Sequence, residues 1–154
     1  PTRRFSDLYA IFHLYERHRS IRRFVERMEE VFIDLLSRRY GVEAGRDAEH
    51  RGVWVGNEKI TAVGISIRDR VTMHGFAFNV SPDLSHFDWI VPCGITDRSQ
   101  TSLERLLGTA PDLDRIKREV AETFRRIYGF PGGEDLLPGP PAPPELPETD
   151  PSDA

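Results

Sequence analysis

Between Ile21 and Leu36 the apolar residues Ile21, Phe24, Val25, Met28, Val31, Phe32, Leu35 and Leu36 recur every three or four positions. That spacing places them on one face of an α-helix, and a helix with so continuous an apolar stripe must be covered by a second layer. Ser20 stands where a side-chain oxygen caps the first turn, and Tyr40-Gly41 supplies the stop, so the pattern predicts a helix over 21–40.

The covering layer is read from three strands. Val53-Trp54-Val55, Gly56-Asn57 and Glu58 to Ile67 read as a hairpin, because Gly and Asn accept the positive φ that a tight turn needs, and Val71 to Val80 reads as a third strand. Thr101 with Glu104 three residues on predicts a capping box for a short helix closed by Gly108, and Asp112 opens a helix carrying Leu113, Ile116, Val120, Phe124 and Ile127. Helices mixed with hairpin-linked strands predict an α/β (α+β) layer fold rather than a doubly wound one.

Eight of the 12 prolines lie between Pro131 and Ala154, together with six acids and no Lys or Arg. Such a segment buries too little apolar surface to offset its ordering entropy, so residues 131–154 are read as a disordered Pro-rich acidic tail and 1–130 as the domain. Without the tail's acids, 21 basic residues face 19 acidic ones, which gives no marked basic excess for nucleic acid. Arg3, Arg4, Arg17, Arg19, Arg22, Arg23, Arg38 and Arg39 make the first third basic, a face for an acidic partner or simply a solvated helix surface. No run approaches the roughly 18 apolar residues of a membrane span, and no apolar segment follows Pro1-Thr2-Arg3-Arg4-Phe5 to make a signal peptide. One Cys cannot form a disulfide framework, and the cytoplasm is the expected compartment.

That Cys carries the chemistry worth testing. Cys93 sits in Ile90-Val91-Pro92-Cys93-Gly94-Ile95, where an apolar run meets Pro and Gly in a tight turn. Its two readings are a small buried hydrophobe and a nucleophile, and the second needs a neighbouring cation, because a free thiol with a pKa near 8.5 is only slightly ionised at neutral pH. Lys59, which opens the strand Ile60 to Ile65, is either that cation or a solvated turn residue. Ala62-Val63-Gly64 and Gly75-Phe76-Ala77 remove bulk in the middle of adjacent strands, the mark of a groove that admits an extended apolar chain. His74 is a candidate base, but no second ligand stands at metal-site spacing from it. No phosphate loop, nucleophile elbow or dinucleotide fingerprint is present.

Taken in order, Gly52-Val53-Trp54-Val55, Lys59-Ile60, Ala62-Val63-Gly64, Val71-Thr72, His74-Gly75-Phe76-Ala77, Asn79-Val80 and Pro92-Cys93-Gly94-Ile95 closely resemble the lipoyl(octanoyl) transferase family, octanoyl-acyl carrier protein:protein N-octanoyltransferases. The resemblance runs from about Tyr9 to Tyr128, includes the separation of 34 residues between Lys59 and Cys93, and departs in a minor way at Phe78, where the family usually has Leu. It implies the catalytic domain shared with biotin and lipoate protein ligases, a mixed sheet flanked by helices. It also implies transfer of an octanoyl or lipoyl group from acyl carrier protein to a specific lysine of lipoyl domains, in lipoate biosynthesis and protein lipoylation, with no cofactor and no metal. The implied acceptors are the lipoyl domains of 2-oxoacid dehydrogenases and the glycine cleavage H protein. By the same resemblance Cys93 is the catalytic nucleophile that forms a thioester, Lys59 lowers its pKa and acts as base, and Ala62, Val63, Gly64, Gly75, Phe76 and Ala77 bind substrate.

The family's earlier Arg-Gly-Gly and His-Gly-Pro-Gly-Gln segments have no match. Tyr9-Ala10-Ile11-Phe12 resembles the strand that follows them, so the expectation is a domain truncated at its N-terminus, with Pro1 to Leu8 too short to replace the missing segments. The alternative function is an inactive truncated relative that binds an acyl chain or lipoyl domain without catalysis.

Overall fold

The structure, a computed structural model, describes residues 5–11, 20–89 and 98–129. The apolar stripe forms helix α1 (Ile21–Tyr40), whose N-cap Ser20 accepts the Arg23 N–H and whose C-cap Gly41 adopts φ 63°. Phe24, Met28, Val31, Phe32, Leu35 and Leu36 are fully buried, Val25 is half-buried, and Ile21, at the helix start, is exposed. The pattern missed one member of this face, the carboxylate of Glu29, which is buried as completely as its apolar neighbours.

The sheet contains β1 (Phe5–Tyr9), β2 (Gly45–Arg46), β3 (Val53–Val55), β4 (Glu58–Arg68), β5 (Val71–Asn79) and β6 (Ser99–Gln100). Its order is β1-β5-β4-β3-β2, all antiparallel, while β6 pairs β4 in parallel, so the sheet is mixed. The expected strand near Tyr9–Phe12 therefore lies upstream of its predicted position. Residues 5–8 supply most of it: Phe5 to Tyr9 pair with Asn79 to Gly75. The β3–β4 hairpin closes as expected through Gly56 at φ 58°, without the positive φ expected of Asn57, and β4–β5 turns through Asp69 and Arg70 at φ 50° and 69°.

Helix α2 (Leu103–Leu107) is capped by Ser102, not Thr101: the Ser102 hydroxyl accepts the Arg105 N–H, and Thr101 is buried beneath it. Helix α3 (Leu113–Tyr128) starts at Asp112, which accepts the N–H groups of Asp114 and Arg115. Those bonds favour the ionised form and hold the Asp112 carboxyl below its ordinary range. The core lies between sheet and helices. Phe32 of α1 meets Phe76 and Phe78 of β5 at ring distances of 4.3 and 5.2 Å, and Tyr128 of α3 donates to the Phe24 carbonyl at 2.9 Å. Phe78 is fully buried, so the larger ring in place of Leu is absorbed by the core. Among the described residues no helix is long and apolar enough to cross a membrane.

Candidate functional site

One irregularity in β4 builds the site. Val53 pairs with Thr61, but the next residue, Trp54, pairs with Lys59, so Ile60 is an extra residue bulged into the ladder. Below the bulge, Thr61, Val63, Ile65 and Ile67 alternate toward the core side shared with Phe76 and Phe78. Unbroken alternation would send Lys59 to that same side. The bulge gives the inward position to Ile60, which is fully buried in the core cluster, and turns Lys59 to the opposite face beside Trp54.

That outer face is the one on which the small residues meet. Ala62 pairs with Ala77 and Gly64 with Gly75, so four of the six expected substrate-binding residues form a strip without bulk across two strands. Val63 and Phe76, paired with each other between them, face the core instead and fix the strip from below. A Cβ added at Gly64 would meet no atom within 4 Å, so the face is open there. Tyr9, 66% exposed and paired with Gly75, stands at the side of the strip, a residue that sequence reading treated only as the start of a strand. His74, next to Gly75, is exposed and holds φ 64° within the strand, a strained setting for a residue with a Cβ.

Lys59 is 5% exposed, which removes the reading of a solvated turn lysine. Its Nζ lies 4.8 Å from the centre of the Trp54 ring. Among the described residues no carboxylate pairs with it: neighbouring Glu58 instead receives Arg105 Nη2 at 3.2 Å and the Ser99 hydroxyl at 3.0 Å. Its backbone sits where the partner on one edge of β4 changes, because β5 pairs from Thr61 onward whereas Gln100 of β6 pairs with Lys59 itself. The Thr101 N–H donates to the Lys59 carbonyl at 2.9 Å, and the Asn79 side-chain amide donates to the Thr101 carbonyl at 3.0 Å. The hydroxyls of Thr61 and Thr101 are buried without a hydrogen-bond partner.

The side chain of Lys59 also depends on Gly52. A Cβ there would stand 2.4 Å from the Thr61 carbonyl oxygen and 3.4 Å from Lys59 Cε, and φ is +124°, so only glycine fits. Glu29 Oε1 accepts the Gly52 N–H at 3.1 Å while its Oε2 takes Arg46 Nε at 3.1 Å, tying the loop to α1.

Cys93, and with it the expected turn, lies outside the described residues, as does the Pro-rich segment 131–154. No cluster of His, Cys, Asp or Glu able to hold a metal occurs among the described residues. The described arginines of the first third are largely engaged within the fold: Arg22 pairs with Glu26, Arg38 with Asp34 and Arg39 with Glu122, which favours the solvated helix face over a free basic patch.

A parallel-plus-antiparallel sheet backed by two helices, with a buried lysine on the face that carries a strip of small residues, defines an α+β domain. The model of the lipoyl protein ligase A/B catalytic domain matches residues 7–125, and this chain belongs to that family. It is 50% identical over 133 residues to an octanoyltransferase of Caldicellulosiruptor saccharolyticus, covering 83% of this chain and 57% of that protein. It is 48% identical over 122 residues to one of Desulforamulus reducens, covering 79% and 54%. The chain thus spans about half the length of the curated relatives it matches. Among solved structures, the biotin protein ligase of Aquifex aeolicus in complex with biotin and ATP superposes with a TM-score of 0.65 at 13% identity, over 81% of this chain and 50% of that one. P. falciparum LipL1 in complex with lipoate gives 0.56 at 11% identity, over 68% and 31%. These two similarities concern the fold.

Proposed function

We propose that this chain carries the acyl-transfer centre of an octanoyltransferase, acting in the cytoplasm on octanoyl-acyl carrier protein as donor and a lysine of a lipoyl domain as acceptor. The observation that carries the reading is the bulge at Ile60, which puts the buried Lys59 on the same face as the Ala62, Gly64, Gly75 and Ala77 strip. A linear eight-carbon chain is apolar and narrow, and a floor of small residues admits it where Leu or Phe would not. The named octanoyltransferase relatives support the same substrate.

In this reading Lys59 favours the thiolate of Cys93. The thiolate attacks the carrier thioester carbonyl, the carrier sulfur leaves as a thiol with the proton that Lys59 took from Cys93, and the octanoyl group stays on Cys93 as a new thioester. The acceptor amine then attacks that carbonyl, gives its proton to Lys59, and the Cys93 thiolate leaves as the amide forms. Acceptors of this chemistry are the lipoyl domains of 2-oxoacid dehydrogenases and the glycine cleavage H protein.

Incubation with octanoyl-acyl carrier protein should add one octanoyl mass that hydroxylamine removes, and Cys93→Ser should abolish the adduct. Lys59→Ala should slow its formation by about 10² or more, less at high pH where thiolate forms unaided. An adduct that survives Cys93→Ser would refute the assignment. Absence of any adduct on the unaltered chain would favour a binder without catalysis.

A further inference from the structure

We propose that His74 limits the length of the acyl chain by standing, as a polar stop, at the far end of the strip that begins at Lys59. The inference rests on the reading of that strip as the acyl site and names what ends it. Residue 74 pairs with Ile65, and its neighbours on the core side of β5, Thr72 and Phe76, are 0% and 5% exposed. Regular alternation would bury a side chain at 74 with them. The imidazole is exposed instead, because φ 64° breaks the alternation, while adjacent Gly75, which could take a positive φ without strain, does not. Among the described residues no hydrogen bond or ion pair engages it. A strained conformation left on the residue that carries a side chain, beside a glycine that could relieve it, points to a use for that side chain.

Distance decides what the imidazole meets. The Lys59 ammonium has no carboxylate partner among the described residues and lies over Trp54, its own register partner, so it marks the start of the strip at the level of residue 59. With Ile60 bulged out of the ladder, Gly64 lies four steps on and Ile65 five, or about 13 and 17 Å at about 3.3 Å per residue. An extended acyl chain advances about 1.25 Å per carbon, from bonds near 1.5 Å and angles near 111°, so octanoyl spans about 9 Å and dodecanoyl about 14 Å. With its oxygen about 3 Å from Nζ, octanoyl ends at the Gly64–Gly75 pair and dodecanoyl reaches His74.

His74 is therefore too far from the acyl carbonyl to act as a base there, and its effect falls on chain length. An apolar chain end that reaches the ring strips water from it and returns no hydrogen bond. Met73, the next residue outward and 39% exposed, is apolar and adaptable and does not oppose a longer chain.

The test uses octanoate, decanoate and dodecanoate, whose carboxylates pair with the Lys59 ammonium, and reads binding by isothermal titration calorimetry. In the unaltered chain decanoate should bind more tightly than octanoate, and dodecanoate no more tightly than decanoate. His74→Gly, which adopts φ 64° freely, should melt no lower than the unaltered chain. It should leave octanoate within about twofold and tighten dodecanoate roughly tenfold, the worth of two buried methylenes. His74→Asn tolerates the left-handed conformation and stays polar, so it should keep the limit.

An unchanged order of the three acids in His74→Gly, an equal gain for all three, or a His74→Asn that behaves as His74→Gly overturns the role of His74 and spares the strip. A lower melting temperature in His74→Gly means a side chain packed within the fold, and overturns it as well. Octanoate that fails to bind the unaltered chain, or that binds Lys59→Ala as tightly, overturns the acyl site and this inference with it.

Discussion

Gly64 separates the two demands that the outer face places on the sequence. In the middle of a strand, glycine costs about 0.5–1 kcal/mol relative to alanine, through backbone entropy. Nothing within 4 Å opposes a Cβ there, and its φ needs no glycine, so Gly64→Ala should stabilise the domain by about that amount. For a domain of this size that corresponds to a rise in melting temperature of about 2–4 °C. Function should move the other way. The new methyl stands on the strip shared with Ala62, Gly75 and Ala77, where an acyl chain would lie. Excluding two methylenes from that surface loses about 0.8 kcal/mol each, or roughly tenfold in kcat/KM for octanoyl transfer. Gly64→Val should deepen the functional loss while keeping strand propensity. Melting by circular dichroism, beside transfer from octanoyl and from butanoyl carrier protein, reads both effects, and the shorter chain should be nearly insensitive. A melting point that falls, or octanoyl and butanoyl transfer reduced equally, would refute the assignment of this strip as the acyl floor.

Phe32→Ala removes a fully buried ring that packs on Phe76 and Phe78, and should cost about 3–5 kcal/mol, seen as a fall in melting temperature of roughly 10 °C or more. Burial pushes the Glu119 carboxyl up, but hydrogen bonds from Tyr40 and Arg115 outweigh it and hold the pKa below the ordinary 4.5. In the folded state Glu119 therefore binds its proton at lower pH than in the unfolded chain. Its contribution is complete above about pH 4.5 and is lost as pH falls through the folded value, so Glu119→Gln should lower the melting temperature at pH 7 and converge with the unaltered chain once the pH lies below that folded value. β1 pairs only with β5 and leaves its other edge unpaired among the described residues, beside exposed Tyr9 and Ile11. The 154-residue chain should therefore associate with itself in a concentration-dependent way on size-exclusion chromatography, and a chain that stays monomeric to high concentration would show that edge to be covered.

Local patterning carried the elements because their signals are local. The stripe from Phe24 to Leu36 needs no partner to be read as a helix, Gly56 and Gly41 mark a turn and a cap by their own conformational freedom, and Asp112 announces α3 through its side chain. The two small-residue triplets were legible as bulk missing from strands, and the tertiary register shows why both exist: Ala62 meets Ala77 and Gly64 meets Gly75. Other features had no local signature. The choice of Ser102 over Thr101 as cap depends on Thr101 being drawn beneath by the Asn79 amide and the Lys59 carbonyl, both far away in sequence. A buried carboxylate at Glu29 looks in the pattern like any polar residue, and only the Gly52 N–H and Arg46 that meet it explain its burial. Above all, alternation along β4 assigns Lys59 to the core face. The bulge that reverses this assignment exists because β3 pairs with β4 out of step, a relation between two strands that neither strand's own sequence contains.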